Sequence, residues 1–65
     1  MKTKKAVCLW FDIEDDVWIV SEDLLDPDNR AIESKQVGWS RKNYDDAFHF
    51  ATLESDQRGL PLIEQ

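Results

Sequence analysis

Hydrophobic and polar positions first alternate between Lys5 and Ile13. Val7, Leu9, Phe11 and Ile13 fall on one side of an extended chain, with Cys8 and Trp10 on the other. Asp12 stands at the wet end of that second side. The pattern predicts a strand, and Glu14-Asp15-Asp16 interrupts it with turn-compatible residues. Val17-Trp18-Ile19-Val20 resumes with β-branched and aromatic types, so the two segments form a hairpin. A two-residue turn at Glu14-Asp15 sets Phe11 opposite Trp18 and Leu9 opposite Val20. A three-residue turn instead puts Val17 and Ile19 on the core side. Both faces of the second strand are apolar, so the pattern leaves the two registers open, and a one-residue slip exchanges the faces completely.

Beyond the hairpin the chain is more polar. Ser21 to Asn29 carries four carboxylates around Leu24 and Leu25, and Asp26-Pro27-Asp28-Asn29 is a strong type I turn signal. Arg30 to Ser40 reads as a third strand that is mostly an exposed edge, clearly strand-like only near Val37-Gly38-Trp39. Charged side chains along such an edge discourage stray pairing. Asn43 is a good helix cap, and Asp45 and Asp46 suit the first turn, where the helix dipole favours anions. Tyr44, Ala47, Phe48 and Ala51 follow helical spacing and predict a buried stripe. Gly59, with Pro61 two residues on, ends the helix, which therefore spans about Tyr44 to Arg58. Phe50 and Leu53 lie off that stripe. Either the buried face is wide or these two side chains meet a partner. The expected fold is a single α+β domain over residues 1–65. It has a three-stranded antiparallel sheet with one helix on one face, and room for a short fourth strand at Leu60 to Ile63.

Composition narrows the function. Sixty-five residues make one small domain, with little room for an enclosed pocket beside a core. Eight basic against fourteen acidic residues give a net charge of −6, which argues against direct binding to nucleic acid. Arg30, Lys35, Arg41 and Lys42 with Trp39 sketch a basic patch, read here as charge balance beside an edge strand. The longest apolar run, Ala6 to Phe11, is too short to span a bilayer or to serve as a signal peptide. One free cysteine and no export signal place the protein in the cytoplasm as an expectation.

The chemistry-bearing residues are isolated. His49 has no companions and reads as a surface residue, and Cys8 reads as a small buried hydrophobe. Asp26-Pro27-Asp28 opens like a calcium loop, but Arg30 and Ala31 stand where that loop needs an oxygen ligand and a glycine. No catalytic residue, cofactor or metal site is expected, and the chain is not read as an enzyme. Two features remain. Eight of the fourteen carboxylates crowd into Asp12 to Asp28 (Asp12, Glu14, Asp15, Asp16, Glu22, Asp23, Asp26 and Asp28). Such a cluster solubilises a small protein and also steers it toward a basic partner. Three tryptophans, Trp10, Trp18 and Trp39, exceed what one small core needs, and tryptophan is enriched at binding hot spots. Trp10, opposite the Val7, Leu9, Phe11 side, is the best candidate for an outer-face contact beside Cys8.

These residues point to a protein-binding module, of the kind phages and mobile elements encode, that modulates or inhibits a larger partner with a basic surface. The expected contact set is Trp10, Trp18, Trp39, Asp12, Glu14, Asp15 and Asp16. A DNA mimic acting on a nucleic-acid-binding protein is an alternative, and self-association as a homodimer is a further expectation. The stretch Asp12 to Leu24, the helix start Tyr44-Asp45-Asp46-Ala47 and the tail Gly59-Leu60-Pro61-Leu62 resemble the HicB-like antitoxin domains. The resemblance covers about half the chain. It lacks the family's Pro-Gly pair after the second strand and its Gly-x-Thr ahead of the helix. It implies a β-β-β-α-β domain that blocks a small RNase toxin.

Overall fold

The computed structural model describes residues 2–65. Strands β1 (Lys4–Asp12), β2 (Val17–Leu25) and β3 (Ala31–Gln36) are followed by helix α1 (Tyr44–Arg58) and a short strand β4 (Leu62–Glu64). The sheet is mixed, in the order β3-β2-β1-β4, with the helix on one face. β1 and β2 pair antiparallel with Phe11 opposite Trp18 and Leu9 opposite Val20. That is the register of the tighter turn. Val7, Leu9 and Val20 therefore face the helix, while Cys8 and Ile19 take the other face.

Ile13 departs from the inward set predicted by alternation. It is 85% exposed, because the ladder stops at Asp12 and Val17 and the turn takes in residues 13–16, wider than the two-residue turn expected for this register. The Asp12 carboxylate holds that turn by accepting from the backbone N–H of Glu14 at 3.1 Å and of Asp15 at 3.5 Å. Asp16 takes a left-handed conformation, φ 57°.

β4 extends the expected three antiparallel strands to four, and it pairs parallel with β1: Val7 opposite Leu62, Cys8 opposite Ile63 and Leu9 opposite Glu64. Val7 N–H donates to Pro61 O and Gln65 N–H to Leu9 O, both at 2.9 Å. β1 is thus an interior strand, paired on both edges, and its two faces enter separate apolar clusters.

The third strand is displaced from its expected centre. The ladder occupies Ala31–Gln36, every residue of it exposed, and Val37-Gly38-Trp39 lies beyond the strand. Val37 N–H still donates to Val20 O at 2.8 Å, but Gly38 at φ 68° then turns the chain away. Backbone geometry at one glycine here outweighs the strand propensity of its neighbours. A Cβ at Gly38 would lie 2.9 Å from Phe50 Cζ, whereas one at Gly59, also at positive φ (64°), would meet nothing within 4 Å. Gly38→Ala is therefore expected to cost about 1–2 kcal/mol and more than Gly59→Ala, as read from the two urea midpoints.

The helix has the predicted ends. The Asn43 side chain accepts from Asp45 N–H at 2.8 Å and Asp46 N–H at 3.3 Å. Gly59 closes the helix in the left-handed conformation, and its N–H donates to Asp56 O. Ala47 and Ala51 are fully buried against Val7, Leu9 and Val20, with Phe50 packed alongside. Tyr44 and Phe48, placed in the buried stripe by their spacing, are instead 39% and 40% exposed. The helix seats on the sheet through its two alanines. That close approach leaves the flanking rings overhanging the edge of the contact. At its other end Arg58 joins Glu54 at 2.6 Å and Glu22 of β2 at 3.0 Å.

Candidate protein-docking surface

The hairpin register and the helix start bring four aromatic rings into one ladder. Phe11 and Trp18, opposite each other across β1 and β2, meet edge to face with centroids 5.0 Å apart. Trp18 meets Tyr44, the first helical residue, edge to face at 4.9 Å. Tyr44 stacks on Phe48, one turn further, at 5.9 Å. These separations are those of favourable aromatic pairs, so the ladder is ordered as well as accessible. Trp18 is half-buried, and Phe11, Tyr44 and Phe48 each leave nearly two-fifths of their surface to solvent. The Tyr44 hydroxyl donates to the Glu64 carboxylate. That bond, followed by burial and the nearby charges of Glu64 and Asp45, raises the Tyr44 pKa above the usual phenol value.

Carboxylates stand at one end of the ladder. Glu14, Asp15 and Asp16 are exposed in the turn that joins Phe11's strand to Trp18's, while Asp12, next to Phe11 in sequence, alternates onto the other face of the sheet. Asp45 follows Tyr44 in the first turn of the helix. Among the described residues, no salt bridge neutralises any of these five groups. Their negative potential therefore reaches solvent at the hairpin-turn and helix-start end of an apolar patch.

Five of the seven expected contact residues, Trp18, Asp12, Glu14, Asp15 and Asp16, meet at this end of the sheet. Trp39 flanks it. Arg41 exchanges backbone hydrogen bonds with Trp18, N–H to O at 3.0 Å and O from N–H at 2.6 Å. The Arg41 guanidinium stands 4.0 Å from the Phe50 ring centre and 5.1 Å from that of Trp39, which is 73% exposed. Trp10 lies on the opposite face, as the alternation predicts. There it is half-buried, and its indole N–H donates to Ser21 Oγ at 3.1 Å. Sequence reasoning took Tyr44, Phe48 and Phe11 for core residues and so missed most of the ladder. The available signal was the i, i+4 spacing of Tyr44 and Phe48, which superposes two rings on one helix flank.

The outer face offers less than Trp10 and Cys8 together suggested. Cys8, Ala6 and Leu25 are fully buried there, packed against Trp10 and Ile63. Burial first, and then the hydrogen bond and charge of Asp23, push the Cys8 thiol up to about 12, so it stays protonated and unreactive at neutral pH. Asp23 is 2% exposed and accepts from Ser34 Oγ at 2.7 Å. His49 lies exposed on the helix. Among the described residues, no three histidine, cysteine or acidic side chains gather where they could hold a metal ion. No helix of the described residues is long and apolar enough to cross a membrane. No protein-family model matches the chain, nor does any curated protein or solved structure.

Proposed function

We propose that the chain is a protein-binding module that docks a basic protein surface on the Phe11, Trp18, Tyr44, Phe48 ladder. The single observation that carries this reading is the partly exposed ladder with an acidic turn at its end, whose carboxylates have no ion-pair partner among the described residues. Arginine suits both parts of it, since a guanidinium stacks on aromatic faces and pairs with carboxylates. The acidic turn would raise the rate of encounter, and the rings would supply the short-range contact. Masking a basic surface on a larger protein is how such a module would modulate or inhibit it.

The test is a chemical-shift titration with an arginine-rich peptide. The largest shifts are expected at Phe11, Trp18, Tyr44, Phe48 and residues 13–16. Phe48→Ala, at a side chain 40% exposed, should weaken binding about tenfold while leaving the circular dichroism spectrum intact. Shifts that follow the carboxylates over the whole surface, with the rings unmoved, would reduce the effect to bulk charge and sink the reading.

A second reading is supported by the element order, β-β-β-α-β, which is the order that the antitoxin resemblance implies. In that reading the basic partner is a small RNase, and relief of RNase toxicity on co-expression distinguishes it.

A further inference from the structure

The two ends of the sheet are unlike. β4 is an edge of three residues, whereas β3 is an edge of six, exposed throughout and, among the described residues, with no element across its outer side. Val37 N–H points inward to Val20 O, so by the alternation of an antiparallel ladder the N–H and C=O of Ser34 and Gln36 point outward. An edge of this length with free backbone groups is a template for another strand.

Its side chains select which strand. Glu33 and Lys35 lie on one face of β3, and neither has an ion-pair partner among the described residues. Two copies related by a two-fold axis normal to the sheet keep their faces, so each register is centred on a single residue. Centring on Glu33 sets Glu33 against Glu33, and centring on Lys35 sets Lys35 against Lys35. Centring on Ser34 sets Glu33 against Lys35 twice, and it places the outward backbone groups of Ser34 opposite their own copies as a hydrogen-bonded pair. Glu33 and Lys35 then form the pair without hydrogen bonds, in which side chains approach most closely. The like-charge registers are disfavoured, and the charges that discourage indiscriminate pairing permit this one.

We infer that the partner of the β3 edge is a second copy of this chain, paired antiparallel about Ser34 with Glu33 of each copy against Lys35 of the other. The sheet becomes continuous through eight strands. An edge contact buries little surface, so the dimer is weak and concentration-dependent. This inference does not depend on the docking surface proposed above, which lies on the helix-covered side of β1 and β2 and on the helix itself.

Sedimentation equilibrium tests it, at loading concentrations spanning roughly two decades up to the millimolar range. The wild type should approach twice the monomer mass. Glu33→Lys and Lys35→Glu should each weaken association by roughly thirtyfold or more, because both pairs become repulsive. The two variants mixed in equal amounts should associate like the wild type, and so should the double variant Glu33→Lys/Lys35→Glu. All substituted positions are exposed, and circular dichroism checks that each variant is folded. A wild type that stays monomeric at the highest concentration overturns the inference. So does a single variant that dimerises as the wild type does, since another surface would then be responsible. Failure of the folded mixture and double variant to recover association overturns the register.

Discussion

Replacing Leu9 with alanine is expected to leave the domain without a cooperative unfolding transition, or with a urea midpoint close to zero. Leu9 is 1% exposed and sits in the cluster with Val7, Val20, Ala47 and Ala51. It is also held between β2 and β4, so its surroundings cannot collapse easily into the space left behind. Truncation of such a leucine costs about 2–5 kcal/mol. A core of this size rarely supplies more than about 3–5 kcal/mol in all. Leu53→Ala is the control. Leu53 is 48% exposed, and its loss should change stability by no more than about 0.5 kcal/mol. Equal effects from the two substitutions would mean that the core does not centre on β1.

The second large effect is on alkaline stability. The Cys8 pKa rises from 9.0 to about 12 in the folded protein, chiefly through burial and then through Asp23. Between those values the unfolded chain loses the thiol proton while the native protein keeps it. The unfolded state then binds fewer protons, so stability falls as pH rises. The stabilisation is present in full well below pH 9 and is lost progressively as pH rises from about 9 toward about 12, the folding equilibrium weakening by up to tenfold per pH unit. Urea midpoints between pH 8.5 and about 10, below most lysine ionisation, should fall with a slope that steepens as pH rises. Cys8→Ala should flatten it. Tyr44, whose pKa is also raised, acts in the same direction at higher pH, and Tyr44→Phe removes that contribution. A slope unchanged in Cys8→Ala would show that the thiol is not the group responsible.

The helix was legible because its signals are local. Asn43, the two following aspartates and Gly59 act within one turn of the backbone, and the observed ends are those expected from them. The fold class was legible for the same reason, since the alternation in β1 and the apolar run in β2 are contained within each strand. The register was not. Both faces of the hairpin are apolar because one packs under the helix and the other carries the Ala6, Cys8 and Leu25 cluster, and β1 itself carries no mark of its second neighbour, the distant β4. At the third strand, Val37 and Trp39 have the right residue types, but the positive φ of Gly38 takes them off the ladder. The ladder was hidden by a tertiary effect. Tyr44, Ala47, Phe48 and Ala51 share one helical spacing, and only the close seating of Ala47 and Ala51 pushes the two rings to the side. The acidic turn was visible from the start, whereas the rings it adjoins depended on contacts between separate elements.

The parallel pairing of β1 with β4 also sets the order in which the molecule can form. Val7 meets Leu62, fifty-five positions further along the chain, so the pairing that makes β1 an interior strand is among the least local in the fold. Contacts of such separation slow folding, because the loop must close before they form. During synthesis the hairpin can assemble early, but one side of Val7 to Leu9 stays bare until Glu64 has left the ribosome. Over that interval an apolar strand with free backbone groups is open to other nascent chains. The demand for a chaperone should therefore be greatest just before the last residues of β4 emerge.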